Sequence, residues 1–326
     1  MTASAARITI IGVKSATASL AFYQDVIGLR SEFDVLWEGS SFENYWHLSR
    51  GATARAVMLS SNGRPCGRVL LLEFEGAGQQ NMVHPDGERW FTGYNNVNFY
   101  TLDIRAATRQ LIKRGYRFWS DPLFYEIGAH EGAPTEVIFD GPDGVFVNLV
   151  EPQGDPKTNV GHIRELLNQR GCTPTGYSEV VTSSLSVQST ERALAFFVDA
   201  LGLKVWMDFQ VSGKERNGFL SLPPDCLSRN VFVVGDDLFG KIALFEPLNF
   251  SIPDRGSKAV APNIGYLAMS FEVSDLDAVV RGCQAADVEV YTPPVELTVP
   301  GLGVRRAMLV RAPSCHSLVE VVQRPA

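Results

Sequence analysis

The chain has 326 residues, is 45% hydrophobic and 20% charged, and carries a formal net charge of −7. That length suggests about two domains, each with enough apolar residues for its own core. The acidic balance and the lack of a Lys/Arg run argue against nucleic acid and anionic membrane as partners, and no apolar run reaches the length of a membrane span. The first residues do not read as a signal peptide. The five cysteines, Cys66, Cys172, Cys226, Cys283 and Cys315, form no CxxC pair. Reduced thiols in a cytoplasmic protein are expected, not a disulfide frame or zinc site.

Residues 7–13 are β-branched and apolar and predict a strand. Ser15 precedes an amphipathic helix with Leu20, Phe22, Tyr23 and Val26 on one face, closed by Gly28. Strands are predicted at 31–37, at 45–59 (as two strands with a turn) and at 68–74. A polar connector, 75–94, leads to a second unit: a strand at 95–102, a helix at 104–114 capped by Asp103, and strands near 117–119, 135–139 and 145–151. A Gly-rich loop is expected at 123–134 and a tight turn at DGPDG, 140–144. In the linker 155–171 the middle, 160–170, reads as helical. A third unit follows, with a strand at 182–187, a helix at 190–200, and strands near 206–211, 218–221, 230–234 and 241–246. The fourth opens with a strand at 265–273; Asp275 caps a helix at 276–286, and strands near 288–291, 305–311 and 318–322 close the chain.

The stretch SLAFYQDVIGL, 19–29, returns as ALAFFVDALGL, 193–203, so that Phe22 and Phe196 lie 196 − 22 = 174 residues apart. Asp103 and Asp275 keep step at 172, and Pro142 and Pro313 at 171. The chain is a duplication. The simplest plan is α+β, with four βαβββ units in two pairs: an N-terminal domain over 1–153, a linker with a helix over 154–176, and a C-terminal domain over 177–326.

A strand, a small polar turn, SLAFYQDVIGL, a strand-Asp-helix unit and a closing DGPDG turn together resemble the vicinal oxygen chelate superfamily. That group includes glyoxalase I, bleomycin-resistance proteins, fosfomycin-resistance enzymes and extradiol dioxygenases, and a tandem chain of this size is most similar to the last. The resemblance implies two tandem domains, each a curled mixed sheet forming a cup over a ligand cavity. The family's chemistry usually depends on a divalent metal held by His or Glu from four strands. Carried over by distance from the shared landmarks, those positions fall on Ile8, Leu70, Asn96 and Asn148 in the first half and on Thr182, Ala243, Ala268 and Val319 in the second. None is a His or a carboxylate, so no metal site is expected. A single bulge in the last turn, APSCHSLVEVV, would bring Glu320 to the ligand position in place of Val319. GxGxxG, Walker A and GxSxG motifs are absent, so nucleotide binding and serine-hydrolase chemistry have no support in the sequence; no cofactor is expected.

Strand alternation groups Asn96, Asn98 and Tyr100 on one face, with Asn148 joining from the closing strand. These groups either bind a polar substrate and stabilise an oxyanion or satisfy one another. His47, in the run Tyr45-Trp46-His47, is a candidate general base on a predicted strand, with Tyr45 and Trp46 beside it as substrate contacts; a structural role is the alternative. His130 and Glu131 lie in the predicted loop, which is read as a lid or as a solvated tip. His84 is expected to face solvent, His162 to lie on the surface, and His316 to be structural. A second cup is expected to show Thr182, Ser184 and Ser186 together with Ala268, Ser270 and Glu272. Glu272 reads as a rim carboxylate or, if buried, as a lone general acid or base with a raised pKa, and that cup as scaffold or homodimer surface.

The expected function is that of a metal-independent enzyme acting by proton transfer on a small aromatic or polycyclic oxygenated molecule, as an isomerase, lyase, cyclase or hydrolase. His47, His130, Glu131 and Tyr100 are the catalytic candidates; Asn96, Asn98, Asn148, Tyr45 and Trp46 are the substrate-binding ones. The alternatives are a sequestering protein of bleomycin-resistance type and a metal-dependent extradiol dioxygenase.

Overall fold

The structure is a computed structural model and describes residues 3–325. Unit one contains β1 (Ile8–Gly12), α1 (Ala16–Tyr23), β2 (Arg30–Trp37), α2 (Ser40–Trp46), β3 (Thr53–Ser60) and β4 (Arg68–Glu75). Unit two contains β5 (Gly93–Thr101), α3 (Ile104–Lys113), the two-residue β6 (Leu123–Phe124), β7 (Ala133–Asp140) and β8 (Phe146–Gln153). Helix α4 (Asn159–Arg170) links the halves. Unit three contains β9 (Tyr177–Ser186), α5 (Thr190–Leu194) prolonged by a wider π-helical turn over Ala195–Ala200, β10 (Lys204–Val211), α6 (Lys214–Phe219), β11 (Ser228–Val234) and β12 (Lys241–Pro247). Unit four contains β13 (Gly265–Val273), α7 (Leu276–Ala285), β14 (Val290–Val299), β15 (Gly303–Arg311) and β16 (Leu318–Gln323).

Each unit starts its main helix with the same device. A side-chain oxygen three residues upstream accepts a backbone N–H: Ser15 from Ala18 at 3.4 Å, Asp103 from Ala106 at 2.8 Å, Ser189 from Arg192 at 3.3 Å and Asp275 from Ala278 at 2.9 Å. Such caps satisfy N–H groups that a helix cannot satisfy internally.

The strands form two curled mixed sheets of eight, ordered β14-β15-β16-β13-β1-β4-β3-β2 and β10-β11-β12-β9-β5-β8-β7-β6. Within a unit the first and last strands run parallel. Between units the opening strands pair antiparallel, β1 with β13 and β5 with β9. The expected four units and two cups are therefore present, but the cups are not built from consecutive units. Unit one pairs with unit four, and unit two with unit three. The outer faces of both sheets pack on the helices in one shared core, which holds Phe22, Tyr23, Val97, Val147, Phe196, Phe197, Leu244 and Phe271. Inside that core the rings of Tyr94 and Tyr266, from the two sheets, stack with centroids 4.3 Å apart.

Three predicted strands come out differently. The run 45–46 belongs to α2, because Phe42, Tyr45 and Trp46 at helical spacing bury one face of a short helix. The run 218–221 holds the last two residues of α6 and the turn that follows it. The run 117–119 makes only an isolated bridge, between Phe118 and Phe139. Strand β14 starts at Val290, not at 288, and continues to Val299. The expected loop 123–134 is a hairpin, with β6 paired to β7 at Leu123 and Glu136. Among the described residues, no helix is long and apolar enough to cross a membrane.

Helix α4 is held to the sheets by charge. The Glu179 side chain is 0% exposed and receives Arg64 Nη1 at 3.1 Å and Arg170 Nη1 at 3.6 Å, while Arg170 Nη2 reaches Asp237 at 2.7 Å. Removing one member leaves the other charges without their partner. Glu179→Ala is expected to cost about 3–5 kcal/mol, read from urea denaturation. A loss below about 1 kcal/mol, the size of an exposed pair, would mean the cluster is not holding the linker.

Candidate functional site

The two cups have different contents. In the cup of units one and four, α2 lies over the inner face. Phe42, Tyr45 and Trp46 pack with Ile8, Ile10, Leu70, Leu72, Ala268 and Leu318 in a closed apolar cluster. One carboxyl is caught in it. Glu320 pairs with Ser270 in register, is buried, and accepts a hydrogen bond from the Tyr45 hydroxyl at 3.0 Å. Burial raises its pKa, and the hydrogen bonds from Ser270 and Tyr45 only partly oppose that. It is thus Glu320, not Val319, that faces this cup; Val319 packs in the shared core.

The cup of units two and three is open and holds a cavity of about 120 Å³. Its walls are aromatic and aliphatic, including Tyr125, Trp206, Phe209, Phe219 and Phe232. At its polar end Asn96, Asn98 and Tyr100 from β5 meet Asn148 from β8, Thr182 and Ser184 from β9, and Lys241 from β12. The register makes this convergence, since Asn98 lies opposite Asn148 on one side and Thr182 on the other. The side-chain oxygens of Asn96, Asn98 and Asn148 are all buried without a hydrogen-bond partner in the protein. Buried amides are rarely left so, and three together in one cavity leave hydrogen-bonding capacity for a ligand.

Two ionisable groups complete the site. Glu136, on β7, accepts Asn148 Nδ2 at 2.9 Å and the Tyr125 hydroxyl at 3.1 Å. Burial raises its pKa above the usual carboxyl value, and those two bonds only partly restore the charged form. Lys241 Nζ donates to the Tyr100 hydroxyl at 3.1 Å and to the Leu238 carbonyl. Arg216, on α6, lines the same cavity and stands over the Tyr125 ring at 4.7 Å. Neither Glu136 nor Lys241 was among the sequence candidates. Alternation from Asn148 across β8 to Ile138 and Glu136 on β7, and from Ala243 back to Lys241 on β12, is the signal that carried them.

The other sequence candidates lie elsewhere. Tyr45 and Trp46 are fully buried in the filled cup. His47 is exposed at the end of α2, not on a strand, with Nε2 at 3.1 Å from Thr292 Oγ1 and its ring stacked on Tyr291 at 4.2 Å. His130 and Glu131 do not line the cavity. Their carbonyls accept the Asn159 and Val160 N–H groups at 2.9 and 2.8 Å, which ties the hairpin tip to the start of α4 and makes it an anchored turn, not a free lid. His84, expected in solvent, is buried, stacked on Phe91, with Nε2 at 2.7 Å from the Gly144 carbonyl oxygen. His162 is exposed beside Glu165, and His316 lies at 3.2 Å from Asp254. Glu272 sits on the rim with Arg7 at 3.3 Å and Arg324 at 3.9 Å. Thr182 and Ser184, expected with Ala268 and Ser270, face the amides instead, because unit three pairs with unit two.

No protein-family model and no curated protein matches the sequence. Solved structures do match. Glyoxalase I from Zea mays aligns with a TM-score of 0.61 at 12% identity, covering 98% of this chain and 92% of that one. A putative dioxygenase from Bacillus subtilis subsp. subtilis str. 168 aligns with a TM-score of 0.59 at 14% identity, covering 100% of this chain and 86% of that one. The chain has the vicinal oxygen chelate fold. At these identities the likeness is one of fold. The metal that this fold commonly carries does not suit the residues present. The four positions around the open cup hold Asn96, Asn148, Thr182 and Ala243, and those around the filled cup hold Ile8, Leu70, Ala268 and Glu320. Neutral amides, a hydroxyl and alkyl groups do not make a site for a divalent ion, and a single carboxyl among alkyl groups does not either. Among the described residues no group of three His, Cys, Asp or Glu side chains converges.

Two outcomes follow. Elemental analysis of the purified protein should show no stoichiometric iron, manganese or zinc, with the melting temperature unchanged by a chelator; a stoichiometric metal would overturn the donor argument. Glu320→Gln should raise the melting temperature at pH 7 to 8, with the gain fading as pH falls towards 4. The folded pKa of Glu320 is raised, so its contribution is full below the unfolded value and lost as pH rises through the folded one. A gain independent of pH would show that Glu320 does not titrate as its burial requires.

Proposed function

We propose that this protein is an enzyme that transfers protons, without a resident metal, on a small and largely apolar oxygenated molecule bound in the open cup. The observation that carries this reading is Glu136, a buried carboxyl held by Asn148 and Tyr125 on the cavity wall. Its raised pKa makes it a stronger base than a solvated carboxylate, closer to the range where a group can both take and return a proton. The Nδ2 donors of Asn96 and Asn98 would meet the negative charge that grows on the ligand's carbonyl oxygen when a neighbouring C–H is lost, and the unpartnered oxygens of Asn96, Asn98 and Asn148 would accept from a hydroxyl of the ligand. The aromatic walls suit a flat ligand and exclude water, which strengthens each of those bonds. An isomerisation or a lyase step is the chemistry this set supplies most directly. It uses no residue at the fold's usual ligand positions as a metal donor. The Zea mays and Bacillus subtilis proteins are a glyoxalase I and a putative dioxygenase; the fold is shared with them, and the polar groups here support a different use of it.

The second reading is a protein that holds its ligand without turnover. One observation favours it: both Glu136 oxygens are already engaged, so the carboxyl could serve only to fix Asn148 and Tyr125. The two readings separate in one experiment. Aryl ketones that raise the melting temperature are incubated with the protein in D2O, and loss of the proton signal next to the carbonyl is followed by NMR. The wild type should catalyse exchange, and Glu136→Gln should lower the rate by about 10²–10⁴-fold while keeping the thermal shift. Binding without exchange in the wild type would sink the enzyme reading and leave the binder. Asn148→Ala should weaken binding and exchange together, since it removes a ligand contact and frees Glu136. Normal binding by that variant would place the ligand elsewhere.

A further inference from the structure

We infer that Lys241 is a nucleophilic amine, which captures an aldehyde or ketone group of the ligand as an imine at the inner end of the open cup. This deepens the reading above, on which it rests for the cavity alone, and it narrows the ligand class to carbonyl compounds.

The placement comes from the strand. Lys241 opens β12 and alternates with Ala243 and Phe245, all three on the cavity side. It is 1% exposed, whereas Lys14, Lys113, Lys157, Lys204, Lys214 and Lys258 are exposed. A buried ammonium normally has a carboxylate beside it. Among the described residues none lies within ion-pair distance of Nζ, which instead contacts two neutral oxygens, the Tyr100 hydroxyl at 3.1 Å and the Leu238 carbonyl. The rings of Tyr100, Trp206 and Phe239 surround it at 5.4, 5.5 and 5.7 Å. Those rings favour the cation weakly and do not replace a counter-charge. Desolvation by burial brings the amine down to about 7, with Arg170 lowering it further and Asp237, Cys66 and Glu179 opposing. A substantial neutral fraction at neutral pH is what a lysine nucleophile requires.

The step balances within the cavity. The Nζ lone pair attacks the carbonyl carbon as the C=O π bond opens. The oxygen takes a proton from the Tyr100 hydroxyl, and Tyr100 recovers one from the now cationic nitrogen. The carbinolamine C–O bond then breaks, and its hydroxyl leaves as water with the Tyr100 proton. The nitrogen lone pair forms the C=N bond, and the iminium N–H returns its proton to Tyr100. Amine and carbonyl have become imine and water, with no change of oxidation state. Hydrolysis reverses it.

The test uses benzaldehyde, which suits the aromatic walls, with cyanoborohydride at pH 7. The reductant adds hydride to the iminium carbon and fixes the adduct as a secondary amine. Peptide mass spectrometry then scores each lysine separately. Lys241 should be labelled at least about tenfold faster than any exposed lysine, which at pH 7 is almost wholly protonated. Equal or slower labelling of Lys241 would overturn the inference. The Glu136→Gln protein should retain the Lys241 adduct. If the wild type exchanges ketone protons but Lys241 stays unlabelled, the imine falls while the proton-transfer function stands. Labelling of Lys241 without exchange by any bound ketone has the opposite meaning.

Discussion

The antiparallel pairing of β5 with β9 is the contact on which the open cup depends. It brings Asn96 opposite Ser184 and Asn98 opposite Thr182, across a chain separation of more than eighty residues. The parallel pairings on either side then add β8 with Asn148 and β12 with Lys241 and Ala243. Every polar group of the cavity end thus comes from four neighbouring strands in one register. A slip of one residue would turn the amides into the shared core and Val97 and Val147 into the cavity. The shared core forbids that slip, because its apolar positions alternate with the amides along the same strands.

The same architecture is used twice with opposite results. In both sheets a short helix follows the second strand of a unit, α2 in the first and α6 in the second. Helix α2 carries Phe42, Tyr45 and Trp46 and fills its cup. Helix α6 is shorter and more polar, and brings only Arg216 and Phe219 to the cavity lining. Three large rings are the difference between a core and a cavity. The filled cup retains Glu320 as a carboxyl bonded by Tyr45, a polar group enclosed by apolar packing.

In the open cup, charge is buried without being cancelled. Glu136 is met by an amide and a phenol, Lys241 by a phenol and a carbonyl, and neither by an opposite charge. Such groups are costly to fold around, since the charged form loses its hydration without an ion pair to offset it. The cluster at Glu179 shows the other solution within the same chain: two arginines meet the carboxylate, and the result ties a linker helix. Burial of ionisable groups follows both designs here, and only the uncancelled ones face the cavity.

The sequence by itself determined the four units, their duplicated helices and their caps. Those features are local: Ser15, Asp103, Ser189 and Asp275 each satisfy an N–H three residues away, and the apolar periodicity needs no distant partner. It also determined that Asn96, Asn98, Tyr100 and Asn148 share a face, because alternation along a strand is likewise local. Only the tertiary structure decided which units share a cup. Pairing β5 with β9 and β1 with β13 is a choice among opening strands of nearly equal pattern, and chain order favours consecutive units without requiring them. That choice moved Thr182 and Ser184 to the amides and left Ala268, Ser270 and Glu320 with Ile8 and Leu70. It also separated His47, Tyr45 and Trp46 from the cavity. Whether a cup is full or open was equally beyond local pattern, because it depends on whether the helix laid across the sheet carries enough side-chain volume to displace the ligand.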